Sequence, residues 1–244
     1  MSNIRYEIQK KRKQPIADDP IRRLESLMGS KEIEREKNHI YFYTDVDPDT
    51  CLDLNKKINE LNKELMKHAI DYDCPPPSIY LHINSNGGCL FSAFSTVDTI
   101  KNSQVPVISI IEGCAASAAT IISMVCNRRY ITENSYMLIH QLSSGIYGKY
   151  EEIKDDFIND TKLMDRLYKL YQQHTTIPVK KIKGVLSRDI WWDASECIEN
   201  GLVDEVWKST PARVRVRDLT GTRSFPKKED AKEPIVTRSK AQKR

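Results

Sequence analysis

The chain has 244 residues, 39% hydrophobic and 30% charged, with 38 Lys and Arg against 34 Asp and Glu for a net charge of +4. That suffices for one large domain or two small ones, but no stretch approaches the roughly 18 apolar residues of a membrane span. The basic start "MSNIRYEIQKKRKQ" has no apolar segment behind it, so no secretory signal is expected.

Six cysteines, none in C-x-x-C spacing, argue against a zinc cluster or a disulfide framework. They suit reduced thiols in a cytoplasmic protein, with no metal and no cofactor expected. The charge is uneven. Residues 208–244 carry 12 basic and 4 acidic residues, a net of +8, which leaves the first 207 at −4. Such a tail could touch nucleic acid, but its polar composition reads as a solvated, flexible segment, and a nucleic-acid partner is not expected.

Three regions follow in chain order: a charged N-terminal extension over 1–38, a domain over 39–208, and the basic C-terminal tail over 209–244. The extension predicts a helix around "DPIRRLESLMGSKEIEREK", with Asp18 or Asp19 as cap and Pro20 in the first turn. "HIYFYT" is a strand-like run. "DPDTCLDLNKKINELNKELMKHA" places Leu54, Ile58, Leu61 and Leu65 at helical spacing. "SIYLHIN" reads as a strand, "CLFSAFSTVDTIKNS" as a helix, "VPVISII" as a strand whose apolar run is interrupted by Glu112 and Gly113, and "SAATIISMVC" as a helix. "RYITENSYMLIHQ" is strand, turn, strand. "YEEIKDDFINDTKLMDRLYKLYQQHT" is a long amphipathic helix with Ile153, Phe157, Met164, Leu167 and Tyr171 on one face. "DASECIENGLVDEV" is a short helix leading into a last strand. The alternation predicts an α/β fold with a largely parallel sheet.

Five of the nine glycines, Gly87, Gly88, Gly113, Gly145 and Gly148, fall in the central third, which suggests a site built from backbone there. "EGCAASAAT" keeps bulk away from Ser117 at a strand-to-helix turn. Free N–H groups at such a turn favour developing negative charge, which an acyl-transfer serine needs. A plain helix cap explains the same residue. "INSNGG", residues 83–88, exposes backbone N–H groups as a phosphate cradle or an oxyanion hole would, and it lacks the G-K-S/T of a nucleotide-binding P-loop. "YMLIHQ" offers His140 as the base that a serine needs. "LSRDIWWDASE" offers Asp189 as an orienting carboxylate, although spacing alone does not select it among 34 acidic residues.

Together these pieces resemble the proteolytic subunit family of the Clp protease. The carrying motifs are Asn84-Ser85-Asn86-Gly87-Gly88, Gly113-Cys114-Ala115-Ala116-Ser117, Met137-Leu138-Ile139-His140-Gln141, and Arg188-Asp189 with Glu196…Asn200-Gly201-Leu202-Val203-Asp204. The likeness covers about 39–208 and keeps the family's order of Ser, His and Asp. It implies a crotonase-like spiral of ββα units with a protruding handle helix. It also implies a serine endopeptidase that cuts unfolded polypeptides to short peptides inside a ring-shaped chamber. Ser117 would be the nucleophile, His140 the general base and Asp189 the orienting carboxylate. Gly88 and Ala118 would form the oxyanion hole. Gly87, Leu142, Ser143, Ser144 and Gly145 would bind substrate as an added strand. The helix after Tyr150 would join two stacked seven-subunit rings of one chain, and a partner AAA+ ATPase would feed them.

Three residues depart from the pattern. Asn86 replaces a proline, Ala118 stands where Met is common, and His82 takes the place of an aromatic that helps dock the ATPase. They bear on the partner more than on the chemistry. Two rival readings are a catalytically silent subunit of a mixed complex, which would ordinarily lack a triad member, and a crotonase-type acyl-CoA enzyme, which would not need Ser117 and His140 in register.

Overall fold

The computed structural model describes residues 33–208. The basic tail and most of the helix expected before residue 38 lie outside the described residues. The end of that expected helix is not helical: Glu34–Glu36 form strand β1. Lys37 takes a positive φ of 54°, so the chain reverses and β1 pairs antiparallel with β2, His39–Phe42. An all-charged run gives no strand signal by itself; the pairing partner supplies it.

Helix α1, Pro48–Asp71, starts at a capping box. The Asp47 carboxylate accepts from the N–H groups of Asp49 and Thr50 at 2.9 and 2.8 Å, and Thr50 Oγ1 accepts from Asp47 N–H at 3.1 Å. Its face of Leu54, Ile58 and Leu61 is fully buried. Strand β3, Ile79–Ser85, follows. Ile79, Leu81 and Ile83 point into the core, and the alternation puts Tyr80 and His82 on the other face. Helix α2 is Leu90–Lys101.

Strand β4 runs from Val107 to Ala116, five residues beyond its expected end. Its first half pairs with β5, Arg128–Ile131, and its second half with β6, Tyr136–Leu138. Gly113, at φ 78°, stands between the two registers. A glycine there bends the strand from one partner to the next at no steric cost, so Glu112 and Gly113 redirect the strand and do not end it. Helix α3 is Ala118–Met124.

The long helix α4, Tyr150–His174, buries Leu167, Leu170 and Tyr171. Ile153, Phe157 and Ile158 in its first half are exposed, Phe157 by 67%. Its apolar face is therefore covered over only the second half. Helix α5, Val179–Leu186, was not anticipated; it buries only Ile182 and Leu186 and is too short for a clear period. Strand β7, Trp191–Trp192, helix α6, Ala194–Glu199, and strand β8, Glu205–Val206, complete the described residues.

The sheet order is β1-β2-β3-β4-β5-β8, with β6 and β7 branching from the end of β4. Every pairing from β2 through β8 along that order is parallel, so the class is α/β as expected. Arg129 ties the last strand down. Its guanidinium holds Asp204 at 2.6 Å and donates to the carbonyls of His174 and Gly201 at 2.7 and 2.8 Å.

Candidate active site

Ser117 sits between β4 and α3 with φ 54° and ψ −123°. A side chain in that region costs about 1–2 kcal/mol, so the neighbours must impose it. They do so from three sides. Ser117 N–H donates to the Leu138 carbonyl at 2.8 Å. The Ser117 carbonyl accepts from Thr120 N–H at 3.1 Å and from Thr120 Oγ1 at 2.6 Å. Thr120 Oγ1 has then spent its proton, so the Tyr171 hydroxyl 3.0 Å away is the donor of that pair. The third side is Gly87, where a Cβ would lie 2.4 Å from the Ala116 carbonyl oxygen and 2.9 Å from Ala118 N. Only glycine, at φ 87°, permits that approach.

The Ser117 hydroxyl makes no capping bond to α3, so the side chain is not spent on the plain structural role. The turn also leaves donors available. Ser117 N–H is committed to Leu138, and the bridge between Val46 and the glycine pair uses the Gly87 carbonyl and the Cys89 N–H. The N–H groups of Gly88 and Ala118 donate no hydrogen bond among the described residues, as two donors waiting for an oxyanion would.

The strand registers bring the other candidates in. β4 and β6 run parallel with Ala116 opposite Leu138, so the residues just past both strand ends, Ser117 and His140, emerge side by side. β6 and β7 run antiparallel with Leu138 opposite Trp191. Continued two residues, that register sets His140 opposite Asp189. The observed distance from His140 Nδ1 to Asp189 Oδ1 is 3.5 Å. That is an ion-pair contact longer than a tight hydrogen bond, and such contacts commonly tighten only when substrate is bound. The Asp189 side chain is 77% exposed against 22% for His140. Gln141 N–H, donating to the Leu186 carbonyl at 2.6 Å, pins the backbone beside the imidazole to the end of α5.

Ser117, His140, Gly88 and Ala118 line one cleft, together with Leu142 and Ser143. Ser144 and Gly145 lie outside it, and Gly87 packs behind the serine turn. Residues 141–148 join no sheet. They are moored to α4, where Leu142 N–H meets Met164 Sδ at 3.1 Å and the Ser144 hydroxyl bonds Asp160. Thr120 escaped the sequence reading, because a threonine in a short Ala-rich helix carries no signal. Tyr171 was legible only as a core position.

A second polar constellation lies on the sheet face away from the helices. His39 Nδ1 is 2.8 Å from His82 Nε2, His82 Nδ1 is 3.0 Å from Glu112 Oε1, and the Tyr43 hydroxyl bonds the other Glu112 oxygen. His82 is only 6% exposed. Burial, then the neighbouring His82, pushes the His39 pKa down, and burial followed by the Glu112 bond pushes the Tyr43 phenol up.

The family model described as Clp protease matches residues 35–210. Similar proteins include ATP-dependent Clp protease proteolytic subunit 2 of Treponema denticola, 33% identical over 161 residues, which are 64% of this chain and 79% of that one. The ATP-dependent Clp protease proteolytic subunit of Deinococcus radiodurans is 29% identical over 143 residues, 58% of this chain and 70% of that one. Proteolytic subunit 1 of Streptomyces coelicolor is 33% identical over 153 residues, 61% of this chain and 67% of that one.

Proposed function

Because the chain belongs to the Clp protease family, we propose that it is a serine endopeptidase working by acyl-enzyme chemistry on unfolded polypeptides. The Ser117 hydroxyl attacks the scissile carbonyl while His140 accepts its proton through Nε2. Asp189 faces Nδ1 and holds the imidazole in the tautomer that leaves Nε2 free. The carbonyl oxygen, now an oxyanion, accepts from the N–H groups of Gly88 and Ala118. His140 returns the proton to the leaving amine, and a water then repeats the sequence to free the acid and restore Ser117. Leu142 and Ser143 offer backbone along the cleft to an extended substrate.

One observation carries this reading: a serine held at positive φ, with its hydroxyl unused as a cap, shares a cleft with a histidine backed by a carboxylate. The assembly follows the family. The exposed Ile153, Phe157 and Ile158 of α4 meet further copies in stacked seven-subunit rings, in the cytoplasm, and an ATPase partner delivers substrate. The relatives' names, which call them ATP-dependent, support that partner.

A second reading, a silent structural subunit, is favoured by the long His140–Asp189 contact and the exposure of Asp189. Labelling with a fluorophosphonate, followed by mass spectrometry of the modified peptide, separates the two. Modification at Ser117, absent from Ser117→Ala, is expected for the peptidase. Folded, assembled protein that takes no label establishes the silent subunit instead.

A further inference from the structure

The carbonyl of Ser117 and the N–H of Ala118 belong to one peptide unit. No peptide bond among the described residues is cis, so the two groups point in opposite directions within one plane. Whatever holds the carbonyl therefore aims the N–H. That N–H is one of the two proposed oxyanion donors, and Ala118 lines the cleft with Ser117, Gly88 and His140.

The backbone at Ser117 does not set this plane by its own preference. Its φ is 54° and its ψ is −123°, whereas the ordinary left-handed well has ψ of about +47°. Relaxing ψ to that well would turn the peptide by about 170° and present the carbonyl to the cleft in place of the N–H. Thr120 opposes this with its N–H at 3.1 Å and its Oγ1 at 2.6 Å from the Ser117 carbonyl oxygen. The shorter bond depends on a rotamer. A helical threonine can turn its hydroxyl to the carbonyl three or four residues back, here Ser117 or Ala116. The Tyr171 hydroxyl, donating to Thr120 Oγ1 at 3.0 Å, holds the rotamer that reaches Ser117. Thr120 is fully buried and Tyr171 is 1% exposed, so solvent does not compete for either hydroxyl.

We propose that Thr120 and Tyr171 are positioning residues for the oxyanion hole: two buried hydroxyls, one on α3 and one on α4, lock the Ser117–Ala118 peptide with its N–H toward the attacked carbonyl. The proposal rests on the peptidase reading of Ser117 given above. It also ties the reacting turn to the seat of α4, because Tyr171 carries the contact between them.

The test measures labelling of Ser117 in the full chain by a fluorophosphonate and by its phosphonothioate analogue, in which sulfur replaces the phosphoryl oxygen. With both, Ser117 Oγ bonds to phosphorus, fluoride leaves and the hydroxyl proton passes to His140. Only the oxygen is a good acceptor for the two N–H groups. Mass spectrometry of the modified peptide reads each rate. Thr120→Val is expected to slow the oxygen probe by about tenfold or more and the sulfur probe by less than about threefold, so the oxygen-to-sulfur rate ratio shrinks. Tyr171→Phe keeps the ring and shrinks the ratio by about threefold, and Thr120→Ser restores it. Because Tyr171 acts through Thr120, adding Tyr171→Phe to Thr120→Val changes the ratio no further. A ratio unchanged in Thr120→Val, or in Tyr171→Phe should the valine variant not fold, overturns the aiming role even if both probes slow together. So does a Tyr171→Phe effect that persists in full in the double variant. Normal labelling of wild type in those cases confines the failure to Thr120 and Tyr171. Absence of labelling from folded, assembled wild type removes the peptidase reading and the aiming role together.

Discussion

Replacing Gly87 with alanine presses directly on the Ser117 turn. The added Cβ falls 2.4 Å from the Ala116 carbonyl oxygen, 2.8 Å from Ser117 Cβ and 2.9 Å from Ala118 N. Two of these three are backbone atoms that no rotamer change can clear. Roughly 1 Å separates the shortest of them from ordinary contact. The φ of 87° adds a left-handed penalty of about 1–2 kcal/mol, and overpacking adds about 1–3 kcal/mol. Gly87→Ala is thus expected to cost about 2–5 kcal/mol of stability. Displacement of the serine turn by up to that 1 Å lowers the fluorophosphonate labelling rate at Ser117 by about 100-fold. Gly184→Ala is the matched control. Nothing lies within 4 Å of its added Cβ, and it sits inside helix α5, where alanine stabilises by about 0.5–1 kcal/mol. Urea unfolding and the labelling rate constant check both variants. If Gly87→Ala matched Gly184→Ala in stability and labelled at the wild-type rate, the close approach of the glycine turn to the serine turn would be refuted.

Asp189→Asn is expected to lower turnover about 10²–10⁴-fold with little change in KM, because the amide can no longer hold the imidazole in one tautomer; unchanged peptide turnover would remove Asp189 from the triad. Stability in acid should report Asp204. Burial alone would raise its pKa, but the hydrogen bonds and charge of Arg129 outweigh that and hold the carboxyl below its ordinary range. With the folded pKa depressed, this stabilisation is fully present above the unfolded value of about 3.9 and is lost as pH falls through the folded pKa. Arg129→Met should cost about 3 kcal/mol at pH 7, and the gap to wild type should narrow below about pH 4. A gap in urea midpoints that stays constant from pH 7 to pH 3 contradicts the linkage.

The candidate site residues were more legible than the fold that positions them. Ser117, His140 and Asp189 lie 23 and 49 positions apart, and those spacings are echoes of two registers: Ala116 opposite Leu138 and Leu138 opposite Trp191. A motif reading singled out these candidates without the registers, because the small-residue turn and the strand ending in His140 carry chemical signals of their own. Elements whose stability comes from a distant partner left no such trace. β1 is three charged residues that become a strand only against β2, and β7 is two tryptophans that pair with β6. Gly113 misled for a related reason: a glycine after an apolar run reads as a stop, and only the second pairing partner makes it a bend. The helical face through Leu54, Ile58 and Leu61 needed no partner to be seen, since its period is local.

The relay from His39 through His82 and Glu112 to Tyr43 constrains how this protein can change over generations. The members constrain one another's protons: Glu112 accepts from His82 Nδ1–H, and His82 Nε2 shares one hydrogen with His39 Nδ1. Exchanging one residue for an apolar one strands its neighbour's polar atom near or beneath the surface, whereas exchanging several together leaves none stranded. Single steps away from the set are therefore disfavoured relative to joint ones. The set is spread over three strands, with Tyr43 and His82 on opposite sides of α1 in the sequence. Chimeras with a relative that lacks the set should therefore fail when the junction falls inside α1, and should be tolerated when it falls beyond Glu112.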